Sequence, residues 1–408
     1  MKTIKAADIL LPDVGDMSRW SVIACDQFTS DRGYWDETRK TVGDAPSTLN
    51  MILPEALIGT PEAERARERV SGYMKSYLDS GLFRKLLGAF MYIEREFEDG
   101  TVRHGIVAAV DLEEYEYKPE KEAAIKATER TVEERLYKRI ELKENAVLEL
   151  PHVLIFYRDP SDHIVGQLRA WKPELNKEYD FELMQDGGHI KGWSVSGEKA
   201  AETERELNGL VSAEGAGALA MGDGNHSLAT AKLFWERIKS GLTDTEAETH
   251  PARYALAELV NIYDSGIRIE PIHRVISGSD VSDFTAFAGE HFAAFRRNGG
   301  EHLLRTGSAA DECTIGISGL TVGQIVEETD RMIAEYLKEH GGAVDYIHDD
   351  ETAVGMGRRP GCAFVLLPVV EKEEIFDTVK RKELFPKKCF SIGSAREKRY
   401  YLECRKIR

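Results

Sequence analysis

The sequence predicts a mixed α/β (α+β) fold, and three observations predict it. Ala216-Gly217-Ala218-Leu219-Ala220 reads as a buried strand, Met221-Gly222-Asp223-Gly224-Asn225 as a tight turn, and the residues up to Lys239 as a helix. Asp99-Gly100 sits between two long apolar runs, the pattern of a β-hairpin. Beyond Ser318, helical and strand patterns alternate as in a βαβ unit. The expected organisation is a main α+β domain over residues 1–317 and a smaller C-terminal βαβ lobe over 318–408.

Taken in order, Trp20 to Cys25 has the composition of a strand, broken by Asp26, and residues 31–41 suit a short helix. Residues 61–87 form a long helical pattern with Pro61 at its first position and a stripe through Val70, Met74 and Tyr77. Residues 89–97 and 102–112 are the two arms of the Asp99-Gly100 hairpin. Residues 121–143 read as a charged helix, 152–157 as a strand, and 163–171 as its partner across a Ser161-Asp162 turn. Three glycines in the six residues 187–192 mark a tight loop, which a plain hairpin explains without a ligand. Residues 198–210 are helical, and 254–263 end in a buried strand. Residues 267–276 alternate around Pro271 and fit an edge strand carrying His273 and Arg274. The final stretch gives helices over 320–340, 351–356 and 371–382, and strands over 344–348 and 362–367.

Composition narrows the function. Hydrophobic residues at 42% and charged residues at 31% are ordinary for a soluble globular chain. No window holds the roughly twenty apolar residues of a membrane span. Met1-Lys2-Thr3-Ile4-Lys5-Ala6 lacks the apolar core of a signal peptide, and the five cysteines are scattered without a C-x-x-C pair. A cytoplasmic protein with reduced thiols is expected. The net charge of −17 argues against general nucleic-acid binding, which displaces counterions with excess cations. Residues 381–408 depart from the average, with ten Lys and Arg against three Glu. They read as a solvated basic strand pair or as a local electropositive wall for a small anion.

The chemistry concentrates at the glycine turn. Asp223 and Asn225 are good N-cap residues, Gly222 and Gly224 permit a sharp turn, and a helix N-terminus with free N–H groups is a natural seat for phosphate. Asp223, Asn225, His226 and Ser227 crowd that single junction.

Four stretches extend the pattern: Thr128-Glu129-Arg130-Thr131, Gly222-Asp223-Gly224-Asn225-His226, Pro271-Ile272-His273-Arg274-Val275 and Leu384-Phe385-Pro386-Lys387-Lys388-Cys389-Phe390-Ser391. In order and spacing they resemble the family called domain of unknown function 1015, as a divergent branch. The usual family core is Asp-Gly-His-His-Arg, so Asn225 replaces a His and Ser227 an Arg. Of the early Pro-Tyr-Asp-Val of many members only Asp26 is kept. The core is similar to the turn of ParB-like and sulfiredoxin-like folds, whose members bind nucleotides or phosphates there, one branch phosphorylating free serine.

The resemblance implies an enzyme of phosphoryl transfer or nucleotide hydrolysis acting on a small molecule, with ATP or ADP and Mg²⁺ as cofactors. Asp223, His226, Asp26 and Glu129 are then the catalytic candidates. Gly224, Asn225, Ser227, Lys232, His273, Arg274 and Lys387 are the phosphate-binding candidates. The expected partner is a small phosphate or nucleotide ligand, without a membrane or general nucleic acid. Two alternatives stay open: a metal-dependent hydrolase using Asp223, His226 and His189 or His273, and a non-catalytic ligand sensor or partner-binding protein.

Overall fold

The 14-residue strand Phe83–Glu96 organises the first of two compact units. The computed structural model of the chain describes residues 2–408 except 26, 27, 29, 30, 55, 56, 58, 59, 61, 132 and 298, and the side chains of 62, 133–135 and 138 are likewise outside it. The first unit takes Met1–Ile267, Val379–Lys382 and Ala395–Arg408, and the second takes Arg268–Thr378 and Glu383–Ser394. The boundary expected after residue 317 thus falls inside the second unit. The reason is sheet membership: His273–Ser277 pairs with both Ala343–Ile347 and Cys362–Leu366, so residues soon after 268 share a sheet with the later ones.

The first unit is built on a mixed sheet. Its spatial order is Asn176–Glu182, His189–Val195, Phe83–Glu96, Val102–Asp111, Tyr254–Asn261, Leu154–Tyr157, Leu219–Asp223, Ile125–Lys126 and Tyr115–Glu116. The Asp99-Gly100 hairpin forms as expected, with Met91 opposite Val107 and Glu96 opposite Val102. Tyr254–Asn261 is buried over all but its first residue, which suits a central strand covered on both faces.

Three stretches fold differently from the sequence expectation. The helix expected over 61–87 is Glu62–Asp79. Gly81 at φ +70 and the bond from Leu82 N–H to Tyr77 O (3.2 Å) end it, and Phe83–Ala89 turns outward to pair with Ala7–Pro12. Within 121–143, the Lys126 ammonium is drawn to the carbonyls of Lys118 (2.7 Å), Pro119 (3.3 Å) and Lys121, which fixes a loop. Ile125–Lys126 joins the sheet, and the helix is confined to Glu133–Asn145. Residues 163–171 are a helix and not a strand, since Asp159 Oδ2 accepts the Ile164 N–H (2.9 Å) and Ile164, Val165 and Leu168 bury one helical face.

The basic tail is neither a solvated strand pair nor simply an exposed wall. Arg399 is 5% exposed, donating to Glu258 Oε2 at 2.7 Å and to Glu403 Oε2 at 2.6 Å, while Tyr179 OH donates to Glu403 Oε1 at 2.6 Å. Arg405 donates to Glu149 Oε1 at 2.8 Å. Arg95, buried in the same region, donates to the carbonyls of Gly187 (2.6 Å), Arg396 (3.0 Å) and Lys398 (3.2 Å). The tail is thereby tied to the body of the unit by buried charge.

The second unit is a five-stranded antiparallel sheet in the order Glu312–Ile317, His302–Ser308, Cys362–Leu366, His273–Ser277 and Ala343–Ile347, with helix Val322–His340 capped by a Thr321/Gln324 capping box. Ala343–Ile347 and Cys362–Leu366 run the same way with helix Asp350–Gly357 between them. His273–Ser277 lies between the two and antiparallel to both, so the simple βαβ pair expected there is a split one. His273–Ser277 is therefore an interior strand and not the expected edge. Its Pro271 stays outside, on the separate short pair Ile269–Pro271 and Phe390–Ile392.

Removing one member of a buried ion network strands the others. Arg399→Ala is expected to lower the unfolding free energy by about 3–5 kcal/mol. Equilibrium urea unfolding measures it, and a loss below about 1 kcal/mol, the level of an exposed pair, would show that the network contributes little.

Candidate functional site

The glycine turn lies where three strand ends meet. Leu219–Asp223 runs antiparallel to Leu154–Tyr157, with Asp223 opposite Leu154, so the residues just before Leu154 lie beside the turn. On its other side it runs parallel to Ile125–Lys126, whose exit leads to Thr128. Helix Asn225–Lys239 then starts with Gly224 as its N-cap at φ +81, ψ +24, and no side chain among the described residues caps it. The expected caps are used otherwise. Asp223 Oδ1 accepts the Gly224 N–H at 2.7 Å, and Asn225 Oδ1 accepts the Thr128 N–H at 3.3 Å. Thr128 Oγ1 donates to Met221 O at 2.8 Å, so the Thr128-Glu129-Arg130-Thr131 stretch is bound to the turn from behind.

Two glycines are required here. A Cβ on Gly222 would come within 2.7 Å of the Phe156 ring. Gly224 has left-handed backbone angles, and its Cβ would lie 3.1 Å from Val153 Cα.

Two side chains that sequence reasoning missed complete the site. Lys398 Nζ stands 3.4 Å from Asp223 Oδ2. His152 Nε2 shares a 3.0 Å hydrogen bond with Ser227 Oγ, and its ring meets the Tyr401 ring edge-on at 5.1 Å. Nothing in the sequence singles out His152, a histidine at a strand entrance behind Pro151. Lys398 carries a signal only as one of the cations in the basic tail. Burial pushes the Asp223 carboxyl upward, but the charge of Lys398, the neighbouring His152 and the Gly224 N–H outweigh it and hold the group below its ordinary value. Asp223 is thus kept as a carboxylate.

The other expected residues fall into three groups. His226 and Ser227 occupy the first helical turn, half-buried, and Glu129 is half-buried next to Thr128. Asp26 lies outside the described residues. Lys232 points away from the N-terminus, paired with Glu236 at 2.7 Å, about 10 Å along the axis from Asn225 by helical rise. The remaining three belong to the second unit. Arg274 is fully buried, with Nε on Asp330 Oδ1 (2.6 Å), Nη2 on Oδ2 (3.0 Å) and Nη1 on Lys388 O (2.9 Å). His273 Nδ1 accepts the Leu367 N–H at 3.1 Å, which puts its proton on Nε2, 2.7 Å from Asp350 Oδ1. Burial lowers the His273 pKa, so the ring is held neutral. Lys387 is exposed.

The metal alternative is not furthered by the geometry. His189 bonds Glu182 (2.7 Å) and Asp180 (2.6 Å) on its own hairpin, and among the described residues no group of three or more His, Cys, Asp or Glu is placed to hold an ion. No helix among the described residues is long and apolar enough to cross a membrane.

Fold and site together define a mixed α/β protein with a polar strand–turn–helix junction. The chain belongs to the family described as protein of unknown function (DUF1015), whose profile matches residues 8–379. No curated protein matches it. Among solved structures it is similar to a free serine kinase in complex with AMP, at 13% identity and TM-score 0.39, covering 77% of this chain and 95% of that one. A conserved hypothetical protein from Pyrococcus furiosus (13% identity, TM-score 0.33, 72% and 90% covered) is another. A third is SbnI with a C-terminal truncation from Staphylococcus aureus, at 10% identity and TM-score 0.35, covering 70% and 82%.

A carboxyl held below its unfolded value stabilises the fold above that value, near 3.9 for Asp, and loses the effect as pH falls through the folded one. Asp223→Asn is therefore expected to be less stable than wild type at pH 7, with the gap closing below about pH 4. Thermal melts of both proteins across pH 2–8 would show this, and a gap independent of pH would refute the charged role of Asp223.

Proposed function

We propose that the Asp223-Gly224-Asn225 turn seats the phosphate of a nucleotide or phosphorylated small molecule, and that the protein transfers or hydrolyses that phosphoryl group. The observation that supports this most directly is the Lys398 ammonium beside Asp223 at the start of helix Asn225–Lys239. A helix N-terminus carries partial positive charge and N–H groups without intrahelical acceptors. With a lysine next to it, the pair forms a cationic seat on an acidic protein.

In this reading Gly224 lets the backbone approach the phosphate, and Ser227 Oγ, held by His152, donates to a phosphate oxygen. Lys398 offsets charge on the transferring group. Asp223 orients the acceptor hydroxyl or water and takes its proton as the new O–P bond forms, with the leaving oxygen departing on the opposite side. His226 contacts phosphate from the first helical turn, and Asp26 and Glu129 are the assisting carboxylates. Asp223 is the residue that would hold a magnesium ion carried in with a nucleotide, and the ion would supply charge compensation there. Lys232 lies about 10 Å along the helix from Asn225 and pairs with Glu236, and His273 and Arg274 belong to the second unit, so this seat is built without them. Lys387 is exposed on the second unit and has no part in this seat.

The test is a thermal-shift series with ATP, ADP and AMP, with and without magnesium, on wild type, Asp223→Ala and Lys398→Met. A ligand at a hundred times its Kd adds about 2.7 kcal/mol to the native state. The expected outcome is a nucleotide shift in wild type that Lys398→Met abolishes, followed by turnover that Asp223→Ala removes. No shift with any nucleotide would sink the reading, and binding without turnover would make the protein a sensor.

A further inference from the structure

The first unit holds a cavity of about 180 Å³ against the first two turns of helix Asn225–Lys239. Its apolar wall includes Met74, Leu142, Leu228 and Ala231. On helix Glu133–Asn145 the lining residues Arg139, Leu142 and Lys143 recur at helical spacing, so two cations share the face that carries an apolar wall residue. Arg67 does the same on Glu62–Asp79, seven residues before Met74.

Size and charge specify the occupant. An apolar cavity of about 150 Å³ accepts benzene, so this one has room for a body of about six carbons. Among the described lining residues, three cations stand against one carboxylate, Glu149. Glu149 is already matched by Arg405 (2.8 Å), the Leu256 N–H (2.9 Å) and Lys143 (3.6 Å), so it does not neutralise Arg67. Arg67 is paired with Glu141, whose side chain is 57% exposed, yet Arg67 Nε is buried with no hydrogen-bond partner among the described residues. A buried guanidinium donor without an acceptor is costly, and a carboxylate is its natural complement. A dianionic phosphate would carry more charge into an apolar space than Arg67, already paired with Glu141, offsets. A second polar corner, formed by Ser227, His152, Cys25 and Tyr401, has Ser227 Oγ on His152 and Cys25 Sγ 3.1 Å from Tyr401 OH.

We propose that this cavity is a binding site for a small monocarboxylate with an apolar body of about five or six carbons. The carboxylate lies against Arg67, and the body runs along Met74, Leu142 and Leu228. The site borders the phosphate seat through Ser227 but does not depend on the nucleotide reading.

The test is calorimetric titration of the full chain with hexanoate, beside hexan-1-ol, acetate and hexyl phosphate. Hexanoate is expected to bind one per chain and more tightly than the other three. Arg67→Met should weaken it about tenfold or more, as loss of a charge-assisted bond implies. Leu142→Trp should abolish binding by filling the space. Ala231→Leu, a milder filling, serves the same purpose should Leu142→Trp melt early. Hexanol or hexyl phosphate binding as well as hexanoate, or hexanoate binding that survives both filling variants, would overturn the proposal. So would no hexanoate binding while AMP still shifts the melt, and that result leaves the phosphate seat standing. Hexanoate binding without any nucleotide shift supports the cavity site and removes the other.

Discussion

Arg399 is the constraint on which the first unit's arrangement depends. A guanidinium removed from water is tolerable only where its donors meet acceptors, and Glu258 and Glu403 provide them from a central strand and from the tail itself. The acids are held in their charged form as firmly as the base. Burial pushes the Glu258 carboxyl up, but Arg103, Arg399 and Arg95 outweigh this and keep it ionised. Gly105 leaves room for it, since a Cβ there would fall 2.3 Å from Glu258 Oε1. Once Arg399 is fixed, its neighbour Lys398 has little choice of position, and its ammonium arrives beside Asp223.

The junction around Asp223 is accordingly an assembly of distant pieces. The strand before Gly224 gives the carboxylate, the residues before Leu154 give His152, the loop after Ile125–Lys126 gives Thr128, and the tail gives Lys398. Backbone registers bring the first three together, and a buried ion network brings the fourth. The turn's glycines are the counterpart of this crowding, because Phe156 and Val153 stand where side chains would otherwise go.

Local patterns in the sequence are faithful where the chain decides its own conformation. The Asp99-Gly100 hairpin, the strand–turn–helix at Asp223 and the helix ending at His340 all follow from turn chemistry and periodicity. The failures at the candidate site share one cause, which is tertiary bonding that a window of residues does not contain. Residues 163–171 are a local misreading instead, since Ile164, Val165 and Leu168 already fall at helical spacing and nearby Asp159 anchors the first turn. His273 and Arg274 suggest an anion site because Asp350 and Asp330 come much later in the chain. Lys398 looks like one more solvated cation, since its carboxylate partner precedes it by 175 positions.

The second unit interrupts the first, and its own ends answer the difficulty this creates. Ile269–Pro271 pairs with Phe390–Ile392, and Gly393 N–H donates to Arg268 O at 2.9 Å. The stretch 268–394, of which only Val379–Lys382 belongs to the first unit, therefore begins and ends at nearly one point. To a chain bringing Ala395–Arg408 back onto a sheet finished before Ile267, the inserted stretch counts as a connection of a few residues once it has folded. Loop closure costs about 0.6 kcal/mol for each doubling of length, so shrinking an effective loop some sixtyfold saves about 3–4 kcal/mol. Order of assembly follows from this. The inserted unit has reason to form first, and the tail that completes the Asp223 junction docks after it.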